Sequence, residues 1–166
     1  PEYVSKLRRH AADLELERIV VFDGWKSREE LSSLFSGSGL FVFASESEGF
    51  GMVVVEAMLH GVPVVLGNFM TAGELTGSRP DNVNTSASGT NASGPDQTGT
   101  PAGFIVSRNR PAKFAEAIVT YLTADNKERY GQAAVRRAGR IAQTWDAVAA
   151  QFHEILTADS DTCPAT

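Results

Sequence analysis

Cysteine is scarce in this sequence, and long apolar runs are absent. Cys163 is the one cysteine in 166 residues, which excludes an internal disulfide and a zinc site built from cysteines. No stretch reaches the roughly 18 apolar residues that a membrane-spanning helix needs. The start, Pro1-Glu2-Tyr3, does not have the basic region and apolar stretch of a secretory leader. These absences favour a cytoplasmic location.

An excess of positive charge is also lacking. The net charge is -5, which argues against nucleic-acid binding, because such affinity comes mainly from Lys and Arg that neutralise phosphates. A local basic stretch of Arg136, Arg137 and Arg140 leaves open a peripheral membrane contact, although a solvated helix face is the more common origin of such a stretch.

The apolar residues that are present alternate between strand-like and helix-like spacings. Short β-branched and aromatic runs predict buried strands, and Ser27 with Glu30 forms a capping box that predicts a helix start. The helix from Pro111 is expected to bury Phe114, Ile118 and Leu122. Helices are predicted over residues 3–14, after Ser27, over 52–60, from Pro111, over 125–141 and over 145–156, and strands over 18–24, 40–44, 62–66 and 103–107.

This alternation predicts an α/β fold, a Rossmann-like parallel sheet flanked by helices. Between Gly77 and Pro101 the composition changes to Ser, Thr, Asn, Gly, Pro and Asp, which predicts a polar loop without a core of its own. We therefore expect one partial domain over residues 1–159, with a flexible polar insert at 77–101 and a disordered tail at 160–166.

The most informative segment runs from Ser45 to Glu56, between a predicted strand and a predicted helix. In doubly wound sheets, ligands bind outside the carboxyl ends of the strands. Glycines let the backbone turn sharply, and the free N–H groups near Gly51, Met52 and Val53 lie at a helix start, where the dipole favours a phosphate. The turn and the first helical turn place Glu48 and Glu56 where both carboxylates can line an extended ligand.

A simpler interpretation of the acid pair competes with this one. Glu48 and Glu56 can also be solvated acids near a positive helix end, where each is worth about 0.3 to 1 kcal/mol. The residues of the segment alone do not decide between a ligand site and a solvated helix start.

The residue pattern of this segment resembles that of a known enzyme family. The run Glu48-Gly-Phe-Gly-Met-Val-Val-Val-Glu56-Ala-Met, followed by Gly61-Val-Pro-Val-Val65, is similar to the E-x7-E signature of family 4 retaining glycosyltransferases of the GT-B type. The strand before it, the serine at 45, the Glu74-Leu pair and the Thr144-Trp145 pair also resemble that family in the correct order. The chain thus resembles a partial C-terminal domain of a GT-B glycosyltransferase.

The resemblance implies a role for each matching residue. Glu48 is expected to contact hydroxyls of the donor sugar and to assist at the anomeric carbon, and Glu56 to bind the ribose hydroxyls. Backbone N–H groups of Phe50, Gly51, Met52 and Val53 would hold the sugar and the distal phosphate, with Glu74 near the acceptor side. The expected site comprises Ser45, Glu48, Gly49, Phe50, Gly51, Met52, Val53, Glu56 and Glu74. No metal and no cofactor are expected, since the nucleotide diphosphate sugar is the donor substrate.

The implied activity is transfer of a hexosyl group from a nucleotide diphosphate sugar to a hydroxyl acceptor, with retention at the anomeric carbon. The expected partners are that donor, an acceptor that the sequence does not identify, and an amino-terminal GT-B domain in cis or in trans. That domain carries the acceptor site, and in the family a strand and helix that follow it carry an Arg and a Lys for the diphosphate. Without these parts, the chain alone is expected to be nearly inactive. Two alternatives stay open: a non-catalytic binding or scaffold module of this fold, and a GT-B sugar-nucleotide epimerase.

Overall fold

A computed structural model describes residues 2–78, 100–107, 110–125 and 127–158. The predicted insert at 77–101 lies mostly outside these residues, and the predicted tail at 160–166 lies wholly outside them. Among the described residues, none of the helices combines the length and the hydrophobicity of a membrane-spanning segment. In chain order the elements are α1 (Glu2–Asp13), α2 (Arg28–Gly37), β1 (Phe41–Phe43), α3 (Met52–Leu59), β2 (Val64–Gly67), α4 (Ala72–Thr76), β3 (Gly103–Val106), α5 (Pro111–Thr123) and α6 (Lys127–Ala158).

The chain divides into two compact units, residues 1–31 and 32–166. The first unit contains α1, whose apolar spacing predicted a helix, and Ala11 is its buried residue. The guanidinium of Arg8 lies over the ring of Phe22 at 5.0 Å from its centroid, a cation–π contact that links the helix to the segment after it.

The predicted capping box at the start of α2 is confirmed. The Ser27 amide donates to Glu30 Oε2 at 2.8 Å, and the Glu30 amide donates to Ser27 Oγ at 3.2 Å. Chiefly because the Ser27 amide donates to its carboxylate, the pKa of Glu30 lies below the usual value for glutamate. Two first-turn amides that lack intrahelical acceptors are satisfied in this way.

The strand predicted over residues 18–24 is wrong. This segment is irregular, and the amides of Ile19 and Val20 both donate to the carbonyl of Leu16, at 2.9 and 2.8 Å. A strand requires a neighbouring strand to receive its backbone hydrogen bonds, and the described residues place none beside this segment. The β-branched run indicated the potential to form a strand but could not supply the partner.

The second unit is built on a parallel sheet in the order β1-β2-β3. Phe41 of β1 pairs with Val64 of β2, and Val64 pairs in turn with Gly103 of β3. All four residues of β2 and all four of β3 are buried, as expected of parallel strands covered on both faces. The predicted α/β fold with a parallel sheet flanked by helices is confirmed.

The two faces of the sheet carry separate cores, because successive strand residues point to opposite sides. Val64 and Leu66 of β2 join the larger cluster with residues of α3, α4 and α6. Val65, between them, joins the smaller cluster with residues of α5. The sheet is therefore a middle layer, with α3, α4 and α6 packed on one face and α5 on the other.

Two further expectations about helices need correction, and one helix was not predicted. Leu122, predicted to be buried, is 52% exposed, because α5 instead turns Phe114, Ala117 and Tyr121 inward. The predicted break between residues 141 and 145 is absent, since α6 is continuous and neither Gly nor Pro interrupts it there. The short helix α4 was not predicted, because five residues are too few to show a helical apolar period.

Candidate functional site

The segment between β1 and α3 lies at the carboxyl end of β1, where ligands bind in sheets of this kind. A Cβ at Gly67, the last residue of β2, would collide with the carbonyl oxygen of Ser45. The absence of a side chain at 67 therefore lets the backbone of the segment pass directly over the end of the neighbouring strand. Ser45 Oγ donates to the carbonyl oxygen of Ser47 at 3.1 Å, which closes a local turn.

The first turn of α3 is open to an acceptor from outside the helix. Gly51 precedes the helix in the left-handed region, with φ 84 and ψ 49, and no side chain caps the helix start. The first helical bonds come from Val54 and Val55, whose amides donate to the carbonyl of Gly51 at 2.9 and 3.3 Å. The N–H groups of Met52 and Val53 precede these donors and have no acceptor within the helix. Such amides, with the positive end of the helix dipole, suit an anion.

Glu48 lies half-buried in the turn before α3. Its Oε1 accepts from the amide of Gly49 at 3.2 Å, which turns the carboxylate back along its own backbone. A carboxylate offers about four acceptor positions, so this single bond leaves capacity for hydroxyl donors of a ligand.

Glu56 lies half-buried on the same face of α3 as the exposed Met52 and Leu59. The opposite face of the helix carries the buried Val54 and Met58. Residues four apart on a helix lie one above the other, so Glu56 stands one turn from the helix start and outside the core.

Thr71 and Leu75, which the sequence analysis did not assign to the site, contact the turn before α3. Thr71, which precedes α4, donates from Oγ1 to the carbonyl oxygen of Phe50 at 3.0 Å. A Cβ on Gly51 would lie 3.3 Å from Leu75 Cδ1, so α4 packs directly against the start of α3. No local sequence pattern signals either contact, because the partners are more than 20 residues apart along the chain.

Glu74 lies on α4 with an exposed side chain. Its backbone carbonyl accepts from Arg137 Nε at 2.7 Å and from Nη2 of the same guanidinium. Within the basic stretch, Arg137 is thus half-buried and bound to α4, whereas Arg140 is exposed. The peripheral membrane contact of this stretch stays a prediction. The predicted site residues between 45 and 56 lie together. Glu74 is linked to them indirectly, because it belongs to α4, whose Leu75 packs against Gly51.

A cleft of about 440 Å³ lies elsewhere in the second unit, at the amino ends of the strands. Gly39 and Pro63, which precede β1 and β2, line it together with Tyr121 and Gln132. None of the predicted site residues borders this cleft. In the described part, no three His, Cys, Asp or Glu residues are grouped so that they could hold a metal ion.

Residues 1–79 match the family model described as glycosyl transferases group 1. This match supports the assignment of the chain to the group 1 glycosyltransferase family. The chain is 30% identical over 159 residues to D-inositol 3-phosphate glycosyltransferase of Streptomyces griseus, which covers 95% of this chain and 28% of that protein. It is 36% identical over 63 residues to mannosylfructose-phosphate synthase of Agrobacterium fabrum, 38% of this chain and 14% of that protein. The chain thus spans less than a third of either relative.

A solved structure is similar in fold to this chain. Anabaena HepE, crystallised in complex with UDP and glucose, matches with a TM-score of 0.61 and 22% identity, over 95% of this chain and 37% of that one. The α/β architecture predicted from the sequence is thereby confirmed as that of GT-B glycosyltransferases.

Proposed function

We propose that this chain supplies the donor-binding part of a retaining group 1 hexosyltransferase. The reaction moves a hexosyl group from a nucleotide diphosphate sugar to a hydroxyl acceptor. An amino-terminal GT-B domain, in cis or in trans, provides the acceptor site. No metal or other cofactor takes part.

The observation that carries the proposal is the open first turn of α3 at the carboxyl end of β1. Gly51 lies in a left-handed conformation and no side chain caps the helix, so the amides of Met52 and Val53, which have no acceptor within the helix, lie together with its positive end. A diphosphate needs several N–H donors and positive potential, and the turn offers both. Anabaena HepE, of the same fold, holds UDP and glucose.

Each site residue takes a role that its position supports. Glu48, half-buried in the turn, accepts hydrogen bonds from hydroxyls of the donor sugar and lies near the anomeric carbon. Glu56, one helical turn beyond Met52, accepts hydrogen bonds from the ribose hydroxyls, since carboxylates are strong acceptors for vicinal hydroxyls. The amides of residues 50–53 hold the distal phosphate, Ser45 and Gly49 shape the turn, and Glu74 lies toward the acceptor.

The chemistry requires the bond between the anomeric carbon and the diphosphate oxygen to break. The nucleoside diphosphate leaves with both bonding electrons, and the acceptor oxygen bonds to that carbon on the same face and gives its proton to an oxygen of the leaving diphosphate. Positive charge develops on the sugar and negative charge on the leaving group. Amides fixed at the start of α3 stabilise the leaving diphosphate, and the turn positions the sugar for attack.

The acids also set a limit on binding. A carboxylate at about 4 Å from a phosphate charge costs about 1 kcal/mol in water and more at lower dielectric. Two acids near a diphosphate therefore need compensating cations, which group 1 relatives are expected to provide from a strand and helix earlier in the chain. The chain alone should bind donor weakly and turn it over little.

Isothermal titration of the 166-residue chain with UDP-glucose and GDP-mannose tests the proposal. We expect weak heats with at least one donor, and Glu56→Gln should reduce the affinity by about 3- to 10-fold, the worth of one or two hydrogen bonds. Glu46→Gln is the matched control, because Glu46 is exposed in the same segment and has no assigned role. Absence of any difference between the wild type and Glu56→Gln would favour a scaffold module, and epimerised sugar from donor alone would favour an epimerase.

A further inference from the structure

The hydroxyl of Thr71 is used in an unusual way for a residue that precedes a helix. Thr is a common helix cap because its oxygen accepts from an amide of the first turn. Thr71 makes no such bond to α4. Its Oγ1 donates across the chain to the carbonyl oxygen of Phe50 at 3.0 Å, in a partly buried position, and so contributes to the turn before α3.

This bond fixes the direction of one peptide plane. The peptide between Phe50 and Gly51 is trans, since the described residues contain no cis bond. In a trans peptide the carbonyl of one residue and the N–H of the next point to opposite sides. With the carbonyl directed to Thr71, the N–H of Gly51 points away from Thr71.

Sterics alone do not hold this orientation. Gly51 has φ 84, and glycine populates positive and negative φ about equally. Rotation of the 50–51 peptide by half a turn would present a carbonyl oxygen where the amide now lies. A hydrogen bond to the carbonyl therefore favours the observed orientation over the reversed one.

We infer that Thr71 is a positioning residue for diphosphate binding, because its hydroxyl holds the Phe50–Gly51 peptide with the Gly51 amide directed to the ligand. The inference rests on the proposed donor function. Without the hydroxyl, the peptide samples the reversed orientation, which places an electronegative oxygen against the phosphate. A carbonyl in that place both removes a donor and adds repulsion.

The first experiment titrates UDP into the full chain and follows affinity for the wild type, Thr71→Val and Thr71→Ser. Valine keeps the branched shape and removes the donor, whereas serine keeps the donor. We expect Thr71→Val to bind UDP about 2- to 12-fold more weakly, the range for one hydrogen bond, and Thr71→Ser to recover most of the loss. Thr120→Val is the matched control, because Thr120 on α5 likewise donates to a backbone carbonyl, that of Glu116 at 2.8 Å.

The second experiment needs no ligand. Residual dipolar couplings of backbone N–H groups in a weakly aligned sample report the direction of the Gly51 amide relative to the amides of α3. The wild type and Thr71→Ser should fit the single orientation described above, and Thr71→Val should show a reduced, averaged coupling.

The outcomes separate the two proposals. If the wild type binds neither UDP nor a UDP-sugar, the donor function fails, while the couplings still decide whether Thr71 orients the peptide. If the wild type binds UDP but Thr71→Val binds equally well, or if its Gly51 coupling is unchanged, the positioning role is refuted. An equal loss in Thr71→Val and Thr120→Val would also overturn it, because the effect would then be one of general stability.

Discussion

Arg137 of α6 binds the carbonyl oxygen of Glu74 on α4 through two nitrogens of its guanidinium, with Nε at 2.7 Å. The same guanidinium carbon lies 3.7 Å from the Cβ position of Gly77, which ends α4 in a left-handed conformation. The last carbonyls of a helix lack intrahelical donors, and a cation there also meets the negative end of the helix dipole. Arg137 thus holds in place the helix on which the start of α3 packs.

Replacement of Arg137 by alanine should lower the free energy of unfolding by about 1 kcal/mol. Charge-assisted hydrogen bonds are worth about 1.5 to 3 kcal/mol, and partial exposure reduces this. Arg137→Lys should recover part of the loss, because an ammonium group can donate to the carbonyl but not through two fixed nitrogens. Urea unfolding measures both, with the exposed Arg129→Ala as control; equal effects of the two alanine variants would contradict the capping role.

Replacement of Gly67 by alanine should destabilise the fold by about 1 to 3 kcal/mol, the usual cost of overpacking. The new Cβ would collide with the carbonyl oxygen of Ser45, and a backbone atom cannot move aside as a flexible side chain can. The segment that leads to Glu48 must shift, so donor affinity should fall as well.

Gly39→Ala is the control for this change. A Cβ at Gly39 has nothing within 4 Å, so its unfolding midpoint in urea should stay close to that of the wild type. If Gly67→Ala were as stable as Gly39→Ala, the close approach of β2 and the segment would not exist in solution.

Sequence patterns predicted those elements that depend on residues close together along the chain. The capping box of Ser27 and Glu30 formed as expected. Gly61, with φ 75, has the left-handed conformation that glycines commonly adopt just past a helix. The parallel sheet followed from the alternation of strands and helices, since such an order needs crossover connections.

Features that depend on partners distant along the chain could not be predicted from the sequence. The run Arg18–Gly24 has the composition of a strand, yet strand formation depends on a neighbour that no local pattern reveals. The contact between Gly67 and Ser45 and the bond from Thr71 to Phe50 join residues about 20 apart. The segment from Ser45 to Glu56 could be identified as a candidate site from its residues alone, but not the residues that support it.

The buried Tyr121 and the half-buried Tyr130 should make stability sensitive to alkaline pH. Burial raises the pKa of Tyr121 and of Tyr130, whose rings meet edge-to-face at 5.8 Å between centroids. A raised pKa means that the fold favours the neutral phenol. Its stabilising contribution is complete below the ordinary tyrosine pKa of about 10 and is lost as the pH rises through the higher folded-state value.

The variant with phenylalanine at both positions should therefore lose less stability between about pH 9 and 11 than the wild type. Urea unfolding at several pH values gives the comparison. Tyr3→Phe is the control, because Tyr3 is 71% exposed. Parallel pH curves for the wild type and the double variant would show that the burial of these phenols is not maintained in solution.

Gly51 and Gly61 lie at opposite ends of α3, and both have a positive φ, 84 and 75. Alanine at either position should cost about 1 to 2 kcal/mol, because a Cβ in the left-handed region crowds the backbone. At Gly51 the added Cβ also lies 3.3 Å from Leu75 Cδ1, whereas at Gly61 the nearest atom is 3.6 Å away. Since Leu75 Cδ1 is the end of a flexible side chain, the extra stability cost should be small.

Donor binding should distinguish the two variants where stability does not. Gly51 is the residue whose amide and conformation open the first turn of α3, and Gly61 lies at the other end of the helix. Gly51→Ala should therefore weaken UDP binding by about 10-fold or more, equal to about 1.4 kcal/mol, while Gly61→Ala binds UDP as the wild type does at a temperature where both are folded. Equal affinities for the two variants would mean that the start of α3 does not hold the diphosphate, because the residue that shapes that turn would then be dispensable for binding.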